Sequence, residues 1–243
     1  MSEKEKAKKF EPKAIGLSGA QLKYLAFASM LIDHVNKALI YPYLNGGVLG
    51  IISDCFDILG RIAFPIFMFL LVEGYFHTKN RWKYLGMLVF FGIVSEVPFD
   101  LFTTCSYWEI NWNNIMFTLA MVLVTIWIID TCKEKLEKYP VFLWYLVSVV
   151  LLIGMCLASM NLGVDYEYHA ILVGYFFYLF HEKTLLSIPF NFLSMYKEPW
   201  ALLGFGLTLT YNGERGRQNK YLNYLFYPVH LLILGLLRLY LGV

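Results

Sequence analysis

Residues 141–160 read VFLWYLVSVVLLIGMCLASM, twenty consecutive positions without a charged side chain. At 1.5 Å of rise per residue this is about 30 Å of helix, the thickness of a bilayer's hydrocarbon core, so the stretch predicts a membrane-spanning helix. Working outward, the same test marks apolar runs at 22–41, 56–76, 84–102, 112–130 and 221–241, with shorter runs at 168–181, 184–196 and 198–211. The expected fold is all-α, a polytopic transmembrane helical bundle of about nine spans, with short or broken helices between 168 and 211. Composition agrees: 58% of the 243 residues are apolar and 16% are charged, against roughly 25% charged in soluble domains.

The basic residues alternate along the chain. Sixteen of the 20 Lys and Arg fall in or beside five segments: Lys4 to Lys13 (with Lys23), Lys79/Arg81/Lys83, Lys133/Lys135/Lys138, Lys183, and Arg215/Arg217/Lys220. The intervening connections 42–55, 103–111 and 161–167 hold no Lys or Arg. Positive charge stays on the cytoplasmic side, so this pattern predicts a cytoplasmic amino end and, with nine spans, an external carboxyl end. The organisation expected is a basic leader, 1–21, and one transmembrane domain, 22–243. The leader MSEKEKAKK lacks a small-residue cleavage site, so the first run reads as a retained span. The four Cys show no CxxC spacing, and the chain has no phosphate loop, HExxH, hydrolase elbow or nucleic-acid stripe. A metal centre and a nucleic-acid partner are therefore not expected.

Ionisable residues inside the spans carry the functional signal, because charge in lipid is costly unless paired or wetted. Asp33 and His34 lie about 17 Å of rise beyond Leu22 in the first span, and Glu96 lies about 18 Å into the third. Alternating helix direction brings these groups to one level, together with Arg61, which can neutralise Asp33, Glu96 or Asp100, and with Asn113, Asn114 and His169. A purely structural role in packing and topology is the bland reading of such a cluster. A titratable imidazole beside a carboxylate favours acid–base chemistry, with His34 as the working group. Near the basic rim stand Glu73, His77, Lys79, Arg81 and Lys83, a set suited to the phosphates of a nucleotide-like cofactor or to anionic lipid heads. His230, just after Pro228 in the last span, is placed to line a path between the two ends. An alternative use of the same Asp, His, Glu and Arg constellation is an ion relay in a small-solute or proton-coupled transporter.

The motifs MLIDHV (30–35), GRIAFPIFMFLLVEGYFHT (60–78), SEVPFDL (95–101), NWNNIMFTL (111–119) and YLFYPVHLLIL (224–234) occur in an order that resembles the TraX family. The resemblance is strongest over 22–130 and 221–235. It implies a multi-pass inner-membrane protein, acetyl-CoA as acyl donor, and acetylation of an amine or hydroxyl on an extracytoplasmic or membrane-bound peptide, polysaccharide or lipid acceptor. Family activity was founded on N-acetylation of conjugative pilin subunits. On that implication Lys79, Arg81 and Lys83 hold the donor, with its thioester beside Glu73 and His230. His34 then acts as base or acyl relay, oriented by Asp33 or Glu96, with Asn113 or Asn114 donating to the oxyanion and Arg61 keeping a carboxylate ionised.

Overall fold

Ser18 sets the first helix. Its hydroxyl accepts from the Gln21 N–H at 3.4 Å while the Gln21 side chain accepts from the Ser18 N–H at 2.9 Å, a reciprocal cap that starts α1 (Gly19–Val35). In the computed structural model, which describes residues 16–44, 46–109 and 111–242, a π-helical turn (Asn36–Ile40) and a 3₁₀ turn (Tyr41–Tyr43) extend this helix. The leader residues Lys4 to Lys13 lie outside the described residues. There follow α2 (Val48–Gly60), α3 (Ala63–His77), α4 (Arg81–Thr104), α5 (Ile115–Lys135), α6 (Val141–Asn161), α7 (Glu167–Leu179), a 3₁₀ turn (His181–Lys183), α8 (Thr184–Ser194), α9 (Ala201–Thr208) and α10 (Lys220–Leu241). Asn80, Asn114 and Asn219 cap α4, α5 and α10 through side-chain oxygens, which is why polar Asn residues stand at those boundaries.

The count of spans differs from the sequence reading. Five described stretches are long and apolar enough to cross a membrane: 48–77 (α2 and α3 together), α4, α5, α6 and 221–241; the α7–α8 pair makes up to six. That pair bends by 82° across the His181 turn. α1 has 17 residues and carries Asp33 and His34, and α9 has only 8, about 12 Å of helix. The expectation of nine spans fails because Pro and Gly boundaries mark where helices stop, not where they cross. Apolar stretches between 168 and 211 pack as short helices against their neighbours instead of each spanning lipid.

Basic segments gather at one end. Residues 210–215 clasp the start of α1, with Leu17 N–H on Thr210 O (2.7 Å), Gly19 on Glu214 O (2.8 Å) and Ala20 on Arg215 O (2.9 Å). Arg81 reaches Asp130 at 3.2 Å, Lys133 stands over the Trp144 ring at 5.1 Å, and His181 meets Glu73 at 2.8 Å. At the other end, Asn113 exchanges backbone bonds with the 163–165 turn (Asn113 N–H to Gly163 O, 2.8 Å; Asp165 N–H to Asn113 O, 3.0 Å). α1, α4 and α10 all run away from the basic end. α4 and α10 form the most extensively packed pair, in parallel, from the Phe91–Tyr224 stack to the contact of Gly235 with Leu101. The chain is a multi-pass membrane protein of all-α architecture.

The larger buried apolar cluster runs through α3, α5 and α7, with the fully buried Ile66, Met68, Val72, Leu123, Ile126 and Ile171. α9 lies on the start of α3 at Gly204, where an added Cβ would stand 2.6 Å from the Ile62 carbonyl oxygen, a backbone atom that cannot turn aside. Gly206, two residues on, has nothing within 4 Å of such a Cβ. Gly204→Ala is therefore expected to destabilise by about 1–3 kcal/mol, whereas Gly206→Ala stays neutral or stabilises by up to about 1 kcal/mol. Thermal unfolding of the two variants in detergent checks the contrast.

Candidate functional site

His34 and His230 meet. His34 Nδ1 lies 2.8 Å from His230 Nε2, the ring planes are within 7° of parallel with centroids 5.0 Å apart, as an in-plane hydrogen bond requires, and 196 residues of chain separate them. Asn219 donates to the Tyr24 hydroxyl at 3.0 Å, which fixes the two helices at one height. His34 is then ten residues beyond Tyr24 and His230 eleven beyond Asn219, about 15 and 16 Å of rise, so two parallel helices deliver both imidazoles to the same level. Phe102 tilts against His34 (4.8 Å), and Phe226 stacks on His230 (4.6 Å).

The hydrogen bonds set the tautomers. His230 Nδ1 faces the Phe226 carbonyl oxygen at 2.6 Å, and an oxygen there can only accept, so Nδ1 carries the proton. A neutral His230 then presents a lone pair at Nε2, and His34 donates to it from Nδ1. His34 Nε2 is left with a lone pair and with no hydrogen bond among the described residues. An imidazole held in this tautomer by a second imidazole is a proton acceptor of fixed direction.

The carboxylates do not orient that ring, contrary to the sequence reading. Asp33 pairs with Lys37 at 2.6 Å, and its side chain fills the space over Gly60. Glu96 accepts from the Asn114 amide, which also donates to Gly92 O at 2.9 Å, so this pair joins α4 to α5. Asn113 spends its amide on Leu162 O at 2.6 Å. Arg61 meets none of its three expected partners closely; its Nε lies 3.0 Å from Glu198. Asp100 accepts the Glu109 N–H at 2.9 Å, and His169 Nδ1 donates to Ser194 O at 2.5 Å, tying α7 to α8. The reason is distance along the bundle: each polar group took the nearest partner on a neighbouring helix or turn, and Lys37 one helical turn away was nearest to Asp33.

Sequence reasoning missed Lys37, Glu198, Asp165 and Tyr166. Tyr166 and Glu167 adopt left-handed backbone angles (φ 61° and 43°), a conformation with no signature in Val-Asp-Tyr-Glu, and costly for a bulky residue. Tyr166 stacks flat on Phe64 at 3.8 Å. Burial pushes the Asp165 carboxyl up to about 6; Lys37 opposes the shift and Asp33 adds to it. Burial likewise raises the Tyr166 phenol, with Asp165 reinforcing and Arg61 opposing. Asp165 thus stands in the field of the Asp33–Lys37 pair, and Tyr166 beside it in that of Arg61 and Glu198, at the end opposite the basic segments.

At the basic end two further clusters form. Asp130 accepts from Tyr75 (2.5 Å), Tyr178 (2.8 Å) and Arg81 (3.2 Å), and the guanidinium lies 4.3 Å over the Tyr75 ring. Glu73 stands between His181 (2.8 Å) and His77 (3.8 Å). A cavity of about 750 Å³ opens here, lined by Phe69, Glu73, His181, Lys183, Thr208 and Tyr211 among others. Of the cofactor-binding set expected from sequence, Glu73 alone lines it; His77, Lys79, Arg81 and Lys83 do not, and His230 stands with His34 instead.

Asp165 yields a pH signature. Its folded-state value of about 6 lies above the ordinary carboxylate value of 3.8, so between these limits the native state binds the proton more tightly. Stability contributed by this group is full at low pH and is lost as pH rises toward and through about 6. Asp165→Asn is expected to flatten the decline in thermal stability from pH 4.5 to pH 7 (a range of roughly this width follows from the linkage), as read by unfolding midpoints across that range.

Comparison with known proteins agrees with this architecture. A family model described as TraX protein matches residues 18–238. A curated relative, "Probable fimbrial assembly protein FimC, serogroup H1" of Dichelobacter nodosus, is 28% identical over 245 residues, covering 93% of this chain and 98% of the relative. No solved structure matches the chain. With most of its length, from the cap of α1 to the end of α10, inside the family model, the chain belongs to the TraX family.

Proposed function

We propose that this TraX-family membrane protein is an acyltransferase that moves an acetyl group from acetyl-CoA to an amine or hydroxyl of an extracytoplasmic or membrane-bound peptide, polysaccharide or lipid. The observation that carries the reading is the His34–His230 pair, which leaves one imidazole nitrogen deprotonated and fixed in direction within the bundle. Membership in the TraX family supports acetyl-CoA as the donor, which the resemblance implies. The basic end faces the cytoplasm, in keeping with retention of Lys and Arg there, which puts the amino end inside and the carboxyl end outside.

In the proposed step, His34 Nε2 takes the proton of the acceptor N–H or O–H as the acceptor heteroatom attacks the thioester carbonyl. The C–S bond breaks, the acetyl group stays on the acceptor, and CoA departs as a thiolate that takes up the proton. His230 is a positioning residue: its Nε2 receives the His34 Nδ1–H, holds the productive tautomer and stabilises the imidazolium formed at His34. Asn114 and Glu96 hold α4 on α5 near this level, and Asp33 with Lys37 fixes the end of α1. Lys79 and Lys83, at the foot of α4, hold the donor's phosphates, while Arg81 is committed to Asp130.

His34→Ala is expected to lower acetyl transfer by about 10²–10⁴-fold with normal membrane insertion, the range a general base supplies. His230→Ala lowers it less and broadens the pH dependence, because the ring loses its tautomer partner. The measurement is radiolabelled acetyl transfer by purified protein in nanodiscs. Turnover of the His34 variant at the normal rate, or passage of an unmodified solute with no acetyl transfer by the native protein, sinks the reading.

A further inference from the structure

α8 has 11 residues and α9 has 8, so neither is long enough to fill the thickness it occupies. Between them, α3 and the 210–213 segment lies the cavity of about 750 Å³. Its floor is polar: the Glu73 carboxylate is held by His181 at 2.8 Å, and the Thr184 and Thr208 side chains stand nearby. Its rim is apolar and exposed, with Leu185, Leu186 and Leu209 facing outward from the bundle. Lys183 stands at the mouth, and among the described residues it makes no ion pair.

We propose that this cavity is a binding site for the headgroup of an anionic phospholipid. A cation without a carboxylate partner, at the end where the basic segments gather, receives the phosphate. Headgroup hydroxyls donate to Glu73, beside which His181 stands at 2.8 Å. The acyl chains run along the exposed leucines and fill the layer that the two short helices leave open. The His34–His230 pair takes no part. Phe67 of α3 packs on Phe27 of α1 at 5.7 Å, toward that pair, whereas Phe69 and Glu73 project about 200° and 240° around the helix from it, into the cavity.

Native mass spectrometry of the full chain released from nanodiscs of mixed phosphatidylglycerol and phosphatidylcholine tests this. The native protein should retain phosphatidylglycerol in preference to phosphatidylcholine. Lys183→Glu should weaken that retention about tenfold or more, as expected for losing one charge-assisted contact and gaining repulsion. Lys138→Glu, a charge change at the same end but away from the cavity, should leave retention unchanged. Lys183→Gln, the milder change, should weaken retention in the same direction, so the inference stands even if the Glu variant folds poorly. Equal retention of both lipids by the native protein, undiminished phosphatidylglycerol in the Lys183 variants, or displacement of the lipid by added CoA would each overturn it, the last by giving the cavity to the donor.

Discussion

Inside a bilayer no water is present to satisfy a polar group, so each one must find its partner on another part of the protein, and these partners dictate which helices are neighbours. Asp130 binds Tyr75, Tyr178 and Arg81, and so holds α3, α7 and α4 around α5. Asn114 and Glu96 join α5 to α4; Arg61 and Glu198 anchor the approach to α9 on the start of α3; Asn36 reaches Ser53 O at 3.1 Å and holds α1 on α2. None of these bonds adds much net stability alone. Their weight is in specificity, since parting any of these helices leaves the paired charge or amide unpartnered in an apolar medium. The His34–His230 contact belongs to this set, and joins α1 to α10.

The two ends of the bundle solve different problems. At the basic end cations meet aromatic rings at close range, Arg81 over Tyr75 and Lys133 over Trp144, and the His181 ring packs on Phe76 at 3.9 Å. Such rings are at home at the membrane boundary, where one side is apolar and the other wet. At the opposite end, loops are tied by backbone exchange between Asn113 and the 163–165 turn, and carboxylates outnumber cations. Strained angles at Tyr166 and Glu167 are held by that exchange and by the Phe64 stack.

Much of this was legible in the sequence. The uncharged run at 141–160 is α6 nearly to the residue, and the alternation of basic loops reappears as one basic end. Asp33, His34, Glu96 and Asn114 stood out because ionisable and amide groups in apolar runs are costly, and all four are engaged in the bundle. What the sequence could not supply was pairing. His34 and His230 are separated by 196 residues, and hydrophobic periodicity says which face of a helix is apolar without saying which helix it meets. Arg61 was assigned three possible carboxylates and found a fourth, Glu198, which sits in a segment whose helices are too short to read as spans. Asp165 lies in the 161–167 connection, where nothing in the sequence singles it out, since burial of a connection is decided by neighbouring loops and not by its own composition.

α3 separates the two compartments that matter. Residues 67 and 69 are about 200° apart on a helix, so Phe67 turns toward α1 while Phe69 turns toward α9 and the 210–213 segment. From Phe67 the aromatic contacts continue through Phe27 and Phe226 to His230. From Phe69 they run to Tyr211 at the cavity and, through Phe177 of α7, to Phe205 of α9. The His34–His230 pair and the cavity therefore stand on different sides of α3. Phe91 stacks on Tyr224 at 5.0 Å, Lys83 lies eight residues before Phe91, and His230 lies six residues after Tyr224. At 1.5 Å per residue the path from Lys83 to His230 is about 21 Å, a distance for an extended thioester arm with its phosphates left at the basic end. The cavity opens on the other side of α3, so the lipid proposed for it would not compete with chemistry at the His34–His230 pair.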